Sequence, residues 1–72
     1  MNTKNLPFKE WGVLPKGSPY MQEAEHLFMQ ILEKSGLPVF MLLPAVLKMR
    51  SDKDGDDDLF MEHLRALSQE YN

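Results

Sequence analysis

The side chains with the most chemical potential in this 72-residue chain are its carboxylates and its two histidines. The run Asp52-Lys53-Asp54-Gly55-Asp56-Asp57-Asp58 concentrates acidic groups around a glycine. Such a run can hold a hard cation. It can equally open a helix, because negative charge is favoured at the positive end of the helix dipole. His26 and His63 are not in the H-E-x-x-H spacing that sets two imidazoles on one helix face. No cysteine is present to complete a zinc site. None of Ser18, Ser35, Ser51 and Ser68 lies in a G-x-S-x-G turn. Gly12, Gly17, Gly36 and Gly55 are scattered, so no loop of glycines can cradle a phosphate. Together these features predict a protein that is not an enzyme and needs no cofactor or metal.

The acidic run sits between two expected helices and resembles, in part, the loop of an EF-hand. That loop carries ligands at positions 1, 3, 5 and 12 and glycine at 6. With Gly55 at the sixth place, Asp54 and Asp52 fall on the fifth and third. Arg50 and Met61 then fall on the first and last, and Glu62 comes one residue late. The simpler expectation is a charged loop capping a helix. A metal-responsive helix–loop–helix protein of the calcium type is a second reading. Mimicry of nucleic-acid charge is a third, with Asp54, Asp56, Asp57 and Asp58 steering the protein toward a basic partner surface.

The elements that position these groups follow from the apolar set. Leucine and methionine dominate it, while Val, Ile and Thr are few. Unbranched side chains lose little rotamer freedom in a helix. A helix is expected over 19–35: Ser18 is a good N-cap, Pro19 suits the first helical position, and Lys34 complements the C-terminal dipole. Met21, Ala24, Leu27, Phe28, Ile31 and Leu32 share one face. Gly36 suits a left-handed stop, with Leu37 folding back on Leu32 in a Schellman arrangement. A last helix is expected over 57–71, with Phe60, Leu64, Leu67 and Tyr71 as its apolar stripe. The segment between holds both Pro38 and Pro44. A break before Pro44 and a helix over 44–50 is the favoured reading, because a residue before proline tends to extended geometry. A single helix kinked at Pro44 and a buried strand over 39–43 are the alternatives.

Residues 1–17 read as an arm, broken by Pro7, Gly12, Pro15 and Gly17. Leu6, Phe8, Trp11, Val13 and Leu14 are too apolar for a solvated tail. The arm is expected to lie extended over the helical core with Trp11 as its anchor. A short strand near 11–14 is the alternative.

Net charge is −3, and no segment clusters positive charge. Direct nucleic-acid binding is therefore disfavoured. The longest apolar run, Val39 to Leu43, is far short of the roughly 20 residues of a membrane span. A cysteine-free chain fits a cytoplasmic setting. A chain of this size should fold to about 4,600 Å² of surface, enough for one domain and no deep cleft.

The expected fold is all-α: a small three-helix domain over 18–72 with an ordered, irregular N-terminal arm over 1–17. The expected function is non-enzymatic protein–protein interaction, as a regulator, inhibitor or accessory subunit. Phe8, Trp11, Met29, Phe40 and Met41 are the candidate apolar contacts. Flexible thioethers and aromatic rings make adaptable binding surfaces. Asp54, Asp56, Asp57 and Asp58 are the candidate electrostatic contacts, and self-association into a homodimer is an additional expectation.

Overall fold

Three helices follow one another: α1 over Met21–Ser35, α2 over Val39–Asp52 and α3 over Asp57–Glu70. The computed structural model describes residues 7–71, and among them there is no strand. Leu6 of the arm and Asn72 lie outside the described residues. The domain is all-α, as its leucine and methionine content implies.

The first helix starts two residues later than Pro19. Ser18 still organises the entry: its Oγ accepts from the Tyr20 N–H at 3.2 Å and its carbonyl from the Met21 N–H at 3.2 Å. Ser18 thus caps a turn that feeds the helix. Met21, Ala24, Phe28 and Ile31 are buried on one face, and Leu27 and Leu32 are half-buried at its edge. At the other end Gly36 takes φ 75°, and its N–H donates to the Leu32 carbonyl at 3.0 Å. The expected Schellman closure gives way to the simpler left-handed stop. The reason is local: the Leu37 N–H donates to Ser35 Oγ at 3.1 Å instead of returning to a helix carbonyl.

The second helix corrects the sequence reading. It runs unbroken from Val39 to Asp52 with Pro44 inside it, so the break before Pro44, the helix confined to 44–50 and the strand over 39–43 do not occur. Pro38 is the N-cap, and its carbonyl accepts from Met41 and Leu42 at 3.0 and 3.1 Å. Pro44 cannot donate to the Phe40 carbonyl. Both residues lie on the exposed side of the helix, where water can take the lost bond. A proline on the solvent side of a helix disturbs no packing, so the preference of Leu43 for extended geometry is overridden. The turn after α2 is made by Asp54 and Gly55, both at positive φ.

The third helix begins at Asp56, whose carboxylate accepts from the Leu59 N–H at 3.1 Å. Phe60, Met61, Leu64 and Ser68 are its buried residues. The stripe is therefore rotated from the expected one. Met61 moves into the core, Leu67 is half-buried, and Tyr71 is exposed beyond the helix end. The cause is that α3 packs against both α1 and α2, so it must bury a wider sector than one stripe.

The arm is folded rather than extended. Phe8–Trp11 form a 3-10 turn closed by Gly12 at φ 76°. Phe8 is the anchor at 1% exposure, while Trp11 is only half-buried, the reverse of expectation. Phe8, Trp11 and Phe28 make a triangle with ring centroids 5.5–5.9 Å apart, in tilted and edge-on geometry. Val13 and Leu14 then enter the same core as Ala24, Phe28 and Phe60. The total accessible surface of 4798 Å² is close to that expected of a folded chain of this mass.

These burials separate two phenylalanines. Phe28→Ala should cost about 3–5 kcal/mol, because it empties a fully buried site. Phe40→Ala should change stability by no more than about 0.5 kcal/mol, as at an exposed position. Urea titrations of the two variants measure the difference.

Candidate interaction surface

Leu42 and Val46 are the buried residues of α2, with Val39, Leu43 and Met49 half-buried against the core. Phe40, Pro44 and Leu47 are spaced 4 and 3 on the opposite side, as are Met41, Ala45 and Lys48, and all six are exposed. Phe40 is 77% exposed and Met41 56%. A helix that is apolar on every side is normally buried on every side. This one is covered on one side only. The outer face is thus a continuous apolar strip with Lys48 as its single charged side chain.

The structure places the other candidate contacts elsewhere. Phe8 is core and offers no surface. Trp11 and Met29 are half-buried, and Trp11 belongs to the arm cluster with Phe8 and Phe28. Of the five apolar candidates, only Phe40 and Met41 share one face and stand open. Leu47, Pro44 and Ala45 were missed, because their membership of that face depends on α2 continuing through Pro44. Once a helix is drawn through that proline, the spacing from Phe40 identifies them.

The aspartates have structural employment. Asp56 caps α3. Asp57 pairs with Arg50 at 2.9 Å, and Arg50 also donates to the Val13 carbonyl at 2.8 Å. One guanidinium therefore joins the end of α2, the start of α3 and the arm. Asp58 accepts from the Tyr20 hydroxyl, which raises the phenol pKa above its ordinary range. Asp52 pairs with Lys48 at 3.4 Å. Asp54 makes no side-chain hydrogen bond or ion pair among the described residues. No group of three or more His, Asp or Glu side chains among these residues converges as a metal site. Of the aspartates in the run, Asp52, Asp56, Asp57 and Asp58 thus serve as a cap or as ion-pair and hydrogen-bond partners within the chain.

Glu23 and Arg65 join α1 to α3 through two contacts of 2.6 and 2.9 Å. The hydrogen bonds from Arg65 hold the Glu23 carboxylate below its ordinary pKa and raise that of Arg65. An open groove of 610 Å³ lies between the arm and the start of α1, lined by Lys9, Lys16, Glu10 and Glu25 among others. Its charges are mixed, and the hydroxyl of Ser18, at its edge, is already bonded to the Tyr20 N–H. His26 and His63 are exposed on separate helices. No helix among the described residues is long and apolar enough to cross a membrane. No protein-family model, curated protein or solved structure matches this chain.

Two outcomes follow from these ion pairs. Arg50→Gln removes the charged partner of Asp57 and weakens the tie to Val13. It should cost about 1–3 kcal/mol in thermal or urea unfolding and speed amide exchange in the arm. Glu23 has a depressed pKa in the folded state, so its stabilisation is complete above the ordinary carboxylate value and is lost as pH falls through the folded value. The stability gap between the native chain and Glu23→Gln should therefore shrink as pH is lowered from about 6 to about 3.

Proposed function

We propose that this protein is a non-enzymatic protein–protein interaction module, acting as a regulator, inhibitor or accessory subunit, and that the outer face of α2 is its contact surface. The observation that carries this reading is the uncovered side of α2, where Phe40 and Met41 stand in solvent. Adjacent exposed apolar side chains on a rigid helix are the usual centre of a helix-mediated interface. Phe40 contributes an aromatic anchor, and Met41 a side chain that adapts to irregular partner surfaces. The acidic turn follows the C-terminal end of α2, the far end from Phe40 and Met41, and gives that end of the face a negative edge, with Asp54 its aspartate unengaged by other described side chains. That edge favours a partner with basic residues at the rim of its site.

Charge mimicry of nucleic acid and calcium sensing have less support. Both need several aspartates at liberty, and Asp52, Asp56, Asp57 and Asp58 are tied to groups of the chain itself.

A photoreactive phenylalanine analogue placed at position 40, expressed in the native host, tests the reading. Crosslinks to a discrete protein from position 40, and none from an analogue at exposed position 62 on α3, are expected. Equal labelling from the two positions, or none from position 40, would contradict it.

A further inference from the structure

We infer that a second copy of this chain occupies the outer face of α2, in an antiparallel helix pair centred on Pro44 and Ala45. This inference rests on the reading of that face as a contact surface and names its partner.

The face is self-complementary under a two-fold axis. Its middle holds the small side chains of Pro44 and Ala45, and its ends hold larger ones: Phe40 and Met41 toward the N-terminus, Leu47 and Lys48 toward the C-terminus. A closed dimer repeats the same patch on both copies. With Pro44 set against Pro44, an antiparallel pair brings Phe40 alongside Leu47 of the second copy on one flank and Met41 alongside its Lys48 on the other. The small central residues let the helices approach, and the larger ones interleave on either side. The lysine stem then lies along the Met41 side chain, with its ammonium reaching out to solvent.

The charges permit the same arrangement. Lys48 is the only charged residue of the strip, so no like charges meet at its centre. The two lysines sit eight helical positions apart, roughly 12 Å along the axis, beyond the screening length of about 8–10 Å. The acidic turns follow Asp52 and lie at opposite ends of an antiparallel pair, whereas a parallel pair would place them side by side. Charge therefore selects the antiparallel orientation.

The area sets the class of interface. From the exposures of Phe40, Met41, Leu47 and Lys48, with Pro44 and Ala45, two copies would bury on the order of 1,000 Å² in total, at the lower edge for a specific interface. The dimer is accordingly weak and reversible, with dissociation in the range of about 10 µM to 1 mM, and it leaves the face accessible to a competing partner at low concentration.

The full chain carries no cysteine, so engineered thiols report contacts without interference. Sedimentation of the native chain over a concentration series should move from 8.4 kDa toward twice that mass. Phe40→Asp should weaken association about tenfold or more while retaining the helical circular-dichroism spectrum. Under mild oxidation a mixture of Phe40→Cys and Leu47→Cys chains should give mixed disulfide dimers faster than either variant alone. Faster dimerisation of each variant alone would overturn the antiparallel register. A monomeric mass at millimolar concentration would overturn the dimer. If the position-40 crosslinks to another protein persist in that case, the contact-surface reading stands without the dimer; if they too are missing, both fall.

Discussion

The structure depends on α3 serving two neighbours at once. Phe60 and Met61 are consecutive residues, separated by about 100° around the helix, and both are fully buried. Such a pair requires packing on two adjacent sides, and α1 and α2 supply it. With α3 between them, the two outer helices meet the core along one side each. For α1 this is adequate, since its outward positions are mostly polar or charged. For α2 it leaves an apolar side without cover, and the described residues hold no fourth α-helix to place there.

The arm might have been that cover, and its location shows why it is not. Phe8 and Trp11 close on Phe28 of α1, while Val13 and Leu14 complete the interior. Arg50 bonds the Val13 carbonyl and pairs with Asp57, which fixes the arm to the junction of α2 and α3. The most apolar part of the arm is therefore spent on the core. Exposure of Phe40 does not reflect a loose structure: the radius of gyration, 11.3 Å, is what a folded chain of this length has.

How much was legible in the sequence divides along the same line. The existence of α1 and α3, the burial of Met21, Ala24, Phe28 and Ile31, and the all-α architecture follow from local rules of spacing, glycine stop and charge. Pro44 misled, because local propensity predicts a break where tertiary placement on the solvent side tolerates a proline. That one error hid Pro44, Ala45 and Leu47 as companions of Phe40 and Met41. Trp11 read as the anchor of the arm and Phe8 as a surface contact, but which ring faces inward depends on the 3-10 turn and Gly12, and no periodicity encodes it. The acidic turn is dense in charge: the Asp56 cap on Leu59 is local and legible, whereas the bonds to Arg50 and Tyr20 cross between elements and need the fold to be seen.

The methionines provide the most direct measurement. Met21, Met29, Met41, Met49 and Met61 distribute one methyl probe each over the described elements, from fully buried Met61 to Met41 in the open strip. Methyl NMR of the isotopically labelled protein with a soluble paramagnetic agent reads the exposure of each. The account predicts strong broadening of Met41 in dilute solution, none of Met61, and progressive protection of Met41 alone as protein concentration rises. A Met41 methyl shielded in dilute solution to the same degree as Met61 would mean that the outer side of α2 is interior, and would contradict the account.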